Sequence, residues 1–111
     1  MKIVNLIDAG FFELKNAGDT EKDIEKVFCC DLLSVAMSKA GDGAAWVTVM
    51  ANANSLAVAT LTDAACIVLA EGMQFDESLM VKAKEQEITV FETELPVFEA
   101  ALRIHELLEK K

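Results

Sequence analysis

Uncharged apolar runs alternate along this chain with segments whose apolar positions recur every three or four residues. The clearest instance is Ala44 to Gly72, AAWVTVMANANSLAVATLTDAACIVLAEG, which reads as strand, helix, strand. Ala45 to Met50 and Ala65 to Ala70 carry no charge. Runs apolar on both faces suit strands covered on both sides, as in a parallel sheet. Between them Ala53, Leu56, Ala57, Thr60 and Leu61 fall at helical spacing, and either Asn52 or Asn54 is placed to cap the helix start. A parallel strand pair needs a crossover of about this length, almost always right-handed.

The rest of the chain repeats the alternation. Lys2 to Ala9 predicts a short helix stopped by Gly10, and Phe11 to Leu14 a first strand, with an unbroken helix from Lys2 to Lys15 as the alternative. Asn16 to Lys22 is polar and reads as a surface loop. Lys26 to Cys30 is a second strand. Asp31 then caps a helix reaching about Lys39, with Leu32, Leu33, Ala36, Met37 and Ala40 as its inner stripe, and Gly41-Asp42-Gly43 is a turn. Asp76 is the natural cap of a helix whose inner side is marked by Leu79, Met80, Ala83 and the later Ile88. Ile88 to Glu92 is a final strand. Thr93 caps the last helix, where Pro96 is tolerated in the first turn and Val97, Ala101, Ile104 and Leu108 form the stripe. Strand and helix in alternation predict an α/β fold of three layers, a small, mainly parallel sheet with helices on both faces.

A length of 111 residues fits one domain, and 53% hydrophobic residues suffice for a core. The net charge of −9 repels nucleic-acid backbones and anionic lipid surfaces, so neither is an expected partner. Met1-Lys2 is followed by a run that Asp8 and Gly10 interrupt, which does not read as a signal peptide. The uncharged span Gly43 to Thr62 is long enough for a membrane helix, but two asparagines and a serine fall in its middle and its periodicity changes there. Cys29, Cys30 and Cys66 form no metal-type spacing and leave an odd thiol, which suits a reducing cytoplasm.

In open α/β sheets ligands gather beyond the carboxyl ends of the strands. That rim is predicted to hold Asp31, Asn52, Asn54, Ser55, Glu71 and Thr93, the candidate ligand-binding residues, beside helix starts whose free N–H groups can hold an anion or an amide. Each asparagine, and Asp31, is also a natural helix cap. Cys30 at a helix start is a weak candidate for a reactive thiol, together with Cys29, although Asp31 would repel the thiolate. His105, the only histidine, has no companion in metal spacing, so no metal site is expected. There is no G-x-x-x-x-G-K-[ST], no G-x-G-x-x-G opening a helix and no G-x-S-x-G.

The stretch CCDLLSVAMSKAGDGAAWVTVMANANSLAVATLTDAACIVLAEG, followed by FDESLMVKAKEQEITVFETELPVFEAALRIHELL, resembles the DRTGG domain family, which is related to the amino-terminal domain of bacterial HPr serine kinase/phosphorylase. The match is carried by the DLLS helix start at Asp31 to Ser34, the strand at Trp46 to Thr48, the helix start around Asn54 leading to Ala57–Ala59, the strand Cys66 to Gly72 and the helix at Lys82 to Gln86. It covers about Lys2 to Leu108. The signature that names the family would fall at Asp23 to Phe28, where DIEKVF lacks its threonine and paired glycines.

The resemblance implies a fold like the amino-terminal domain of that kinase, in a family found as stand-alone bacterial proteins and as regulatory modules beside CBS domains in some pyrophosphatases. Catalysis in the kinase relatives resides in a separate P-loop domain. A non-catalytic, cytoplasmic regulatory or ligand-sensing module without a cofactor is therefore expected. It would pair as a homodimer and bind a small ligand, a nucleotide among the options, or a regulatory protein partner. The alternatives are an enzyme on a small metabolite with Asp31 or Glu71 as general base, or a redox sensor using Cys29 and Cys30.

Overall fold

The computed structural model describes residues 1–32, 35–36 and 41–110. Helix α1 (Ile3–Ala9) leads into β1 (Glu13–Asn16) and β2 (Lys26–Cys29), followed by β3 (Ala44–Thr48), α2 (Ala53–Thr62), β4 (Cys66–Leu69), α3 (Glu77–Glu85), β5 (Thr89–Glu92) and α4 (Val97–Glu109). The five strands form one sheet in the order β1-β5-β4-β3-β2. All neighbours are parallel except β1, which runs antiparallel to β5. The fold is thus three-layered α/β with a mainly parallel sheet.

Strand alternation divides the core in two. Ala45, Val47, Cys66, Val68 and Phe91 face one side, where Ile3 and Leu6 of α1 and Ala100 and Ile104 of α4 cover them. Trp46, Ile67, Leu69 and Val90 face the other, under Leu56, Val58 and Ala59 of α2, Ala83 of α3 and Ala36. The steps β3 to β4 and β4 to β5 move the same way across the sheet, so their crossovers share one face, on which Ala36, between β2 and β3, is also buried. Only the exit from β5 turns to the opposite face, where α4 runs back over β3 and β2.

Local signals hold where the interaction is local. Gly10 takes the left-handed conformation (φ 74°) and ends α1. Asn52 caps α2, its side chain accepting from the backbone N–H groups of Asn54 and Ser55, and Asp76 caps α3 by accepting from Leu79. Several expectations need correction. The first strand is Glu13–Asn16, two residues later than Phe11 to Leu14, because Phe12 is drawn into the core against Phe91. In α2 the buried face is Ser55, Leu56, Val58 and Ala59, while Ala53, Ala57, Thr60 and Leu61 are turned outward. Thr93 does not cap the last helix: Pro96 holds that position, and the Thr93 hydroxyl accepts from the N–H of Leu95. The Asp31 carboxylate accepts from Thr48 and Val49 of the β3 end, and the first turn of the helix it is expected to cap lies outside the described residues. Leu33, Ser34, Met37, Ala40 and the helix end at Lys39 lie outside the described residues.

Candidate functional site

Parallel pairing aligns the strand ends: Cys29 lies beside Val47, Thr48 beside Leu69, and Leu69 beside Glu92. The segments that follow, with Asp31, Asn52, Asn54, Ser55, Glu71 and Thr93, therefore leave the sheet along one rim. Most of their polar groups hold this rim together. The Asp31 carboxylate accepts from the Thr48 hydroxyl at 2.7 Å and the Val49 N–H at 3.0 Å, tying the end of β2 to the end of β3. The Asn52 side chain is occupied as the α2 cap. Ser55 is buried and its hydroxyl donates to the carbonyl of Met50. Asn54 presents its side chain to solvent.

Ligand crevices in such sheets form where neighbouring strands send their helices to opposite faces. Here that place lies between β4, followed by α3 on one face, and β5, followed by α4 on the other. Backbone bonds stitch it nearly shut: Glu71 N–H to Leu95 C=O, Gly72 N–H to Thr93 C=O, and Thr93 N–H to Leu69 C=O, each at 2.9 Å. Glu71 and Gly72 turn through positive φ to make this contact. What remains is a depression of about 60 Å³ lined by Glu13, Gly72, Met73, Gln74, Glu92, Thr93 and Glu94.

Glu92 is the rim carboxylate that the sequence reading left out of the candidate set. It is 6% exposed, and burial raises its pKa above the usual carboxylate value, opposed by Lys15 at 3.9 Å and by the Phe75 N–H, with Glu13 adding to the rise. Its position as the last residue of an uncharged strand run was the available signal. With Asp31, Glu71 and Glu94 also present, the rim is acidic, which disfavours a bare polyphosphate and favours the neutral or cationic part of a ligand.

The thiols are distributed differently. Cys66 is fully buried and its thiol is pushed up to about 12 by desolvation. Cys29 is also raised, first by burial and then by Asp31 and Cys30, which keeps it protonated at neutral pH. Among the described residues no cluster of three or more His, Cys, Asp and Glu could hold a metal ion, and no helix is long and apolar enough to cross a membrane. Two larger depressions lie away from the carboxyl rim. One, of about 390 Å³, is lined by residues including Lys22, Thr60, Asp63, Gln86 and Thr89. The other, a groove of about 810 Å³, runs between residues 23–27 and the end of α4.

Residues 2–107 match the DRTGG domain family. The chain belongs to this family. No curated protein matches it. Among solved structures, the DRTGG chain resembles the CBS and DRTGG domains of the regulatory region of Clostridium perfringens pyrophosphatase, a structure complexed with the activator diadenosine tetraphosphate. The TM-score is 0.70 at 17% identity, and the match covers 91% of this chain and 44% of that one. At that identity the likeness establishes a shared fold. In this DRTGG domain the DIEKVF segment, where the family signature would fall, forms the approach to β2 and its first three residues, and Asp23 to Val27 make one wall of the large groove.

The Asp31 latch is open to direct measurement. Asp31→Ala is expected to cost about 2 kcal/mol in urea denaturation, because it removes two charge-assisted bonds and leaves the buried Thr48 hydroxyl without its acceptor. Asp31→Asn, which keeps one acceptor oxygen, should lose less. Equal stability of the alanine variant and the parent would show that the latch contributes nothing.

Proposed function

We propose that this DRTGG domain is a non-catalytic regulatory module of the cytoplasm that senses a small ligand and self-associates. The observation that carries the reading is the family match over nearly the whole chain, 2–107. A fold shared with a regulatory region that binds a nucleotide activator supports it. The three free thiols fit a reducing compartment. Asp31, one of the two bases beside Glu71 that an enzymatic reading would use, is already engaged by Thr48 and Val49. The raised Cys29 thiol weighs against that residue as a redox-sensing thiolate.

The ligand favoured by the rim is one that offers a base or ribose edge, with Asn54 as the side chain free to meet it. Thermal unfolding with adenosine, AMP, ATP and diadenosine tetraphosphate tests this. At ten times its dissociation constant a ligand adds about 1.4 kcal/mol, a rise in Tm on the order of 5 °C. Asn54→Ala should abolish the rise without changing the Tm of the free chain. Unchanged Tm values across the set would remove nucleotide sensing from the proposal.

A further inference from the structure

The large groove between residues 23–27 and the end of α4 has an apolar floor and an acidic wall. Ile24, Val27 and Leu108 make the floor. Asp23, Glu25 and Glu109 line it and are exposed. Of these three, among the described residues, only Glu109 has an ion-pair partner, His105 at 3.7 Å. The nearby cations do not cancel this charge. Lys26 also lines the groove, but strand alternation directs its side chain to the face of Phe28, whereas Val27 packs on the α4 side. The Met1 amino group turns back to the Ile24 carbonyl at 3.5 Å.

This groove follows the outer side of an edge strand. Such edges offer unpaired backbone groups, which charges and bulges usually blunt. Strand β1 has both, an ion pair of Glu13 with Lys15 and a register slip between Leu14 and Asn16. Strand β2 instead pairs in unbroken register with β3. Lys2 and Asp23 form an antiparallel bridge, and the Ile24 N–H donates to the carbonyl of Met1, so the edge takes an antiparallel strand as far as Ile24. The Glu25 N–H points inward to the Gly43 carbonyl. Alternation then turns the N–H and C=O groups of Lys26 and Phe28 outward, where no backbone among the described residues meets them.

We propose that the groove docks a basic, extended segment of a partner protein, which adds to β2 as an antiparallel strand. Residues of that segment opposite Lys26 and Phe28 take up the outward backbone groups. Residues opposite Glu25 and Val27 turn their side chains toward α4, on the acidic face. A lysine or arginine at these two alternate positions lays its stem along Val27 and Leu108 and brings its charge to Glu25 and Glu109. Charge selects this occupant, because a chain of net charge −9 attracts a cationic segment and repels an acidic one or its own copy. The groove lies away from the carboxyl rim, so failure here and failure of the small-ligand reading are separate results.

Fluorescence anisotropy of a fluorescein-labelled peptide of alternating valine and lysine tests the docking. The parent chain should bind it, and Glu25→Lys with Glu109→Lys should weaken binding by about tenfold or more while far-UV circular dichroism is unchanged. Glu77→Lys with Glu85→Lys changes the net charge equally, but on α3 across the sheet, and should alter affinity by less than about twofold. The same peptide methylated on its valine backbone nitrogens cannot donate to the Lys26 and Phe28 carbonyls and should not bind the parent chain, a readout that needs no variant to fold. Equal losses in the two charge-reversed pairs, or full binding of the methylated peptide, would reveal only general attraction to an acidic chain and overturn the docking. No binding of the unmethylated peptide would overturn it as well.

Discussion

Trp46→Ala is expected to lower folding stability by about 4 kcal/mol. Trp46 has no exposed surface and is among the largest fully buried side chains. It projects from β3, which has a strand on either side, into the layer formed with Leu56, Ile67, Phe75 and Ala83. The surrounding strands and helices cannot collapse into so large a void, so the cavity persists. Its indole N–H also donates to the Cys30 carbonyl at 2.9 Å, fixing the chain just before the Asp31 latch. Trp46→Phe keeps most of the volume and loses that bond, so it should cost less than half as much. Because Trp46 is the only tryptophan, the comparison requires far-UV circular dichroism in denaturant. A loss below about 1 kcal/mol for the alanine variant would contradict the packing described here.

Gly18→Ala should be nearly as damaging, at about 3 kcal/mol, although the residue lies in a polar loop. A methyl group there would stand 2.0 Å from the carbonyl oxygen of Glu87 and 2.7 Å from its carbon, both backbone atoms. The loop would have to lift from the α3–β5 turn. That would break the bond from the Gly18 N–H to the buried Thr89 hydroxyl and strain the one from the Asn16 side chain to the Ile88 carbonyl. Gly10→Ala is the informative control. Nothing lies within 4 Å of the site, and only its left-handed φ of 74° resists the substitution, so about 1 kcal/mol is expected. If the two variants unfold at the same denaturant concentration, the close approach at Gly18 is not real.

The caps at Asn52 and Asp76 and the stop at Gly10 could be read from the chain because donor and acceptor are two or three residues apart. The outward turn of Ala57 and Leu61 could not. Helix α2 has no charged residue to mark its wet face, and the side it buries is set by where the sheet lies. Asp31 shows the same limit. As a residue between a strand and a helix it reads as a cap, and nothing local announces that parallel pairing brings Thr48 and Val49 to its carboxylate from 17 and 18 positions away. Glu92 ends an apolar strand, yet its burial depends on β1, Lys15 and the Phe75 segment arriving beside it.

By itself the sequence determined the α/β alternation, the mainly parallel pairing and the family, because periodicity, uncharged runs and motif order are properties of neighbours along the chain. The strand order was left to tertiary structure. That order placed the candidate residues on one rim, closed the crevice between β4 and β5 with backbone bonds, and left β2 as an edge strand of the sheet. These outcomes depend on long-range strand pairing, where each partner is chosen by the packing of both faces at once.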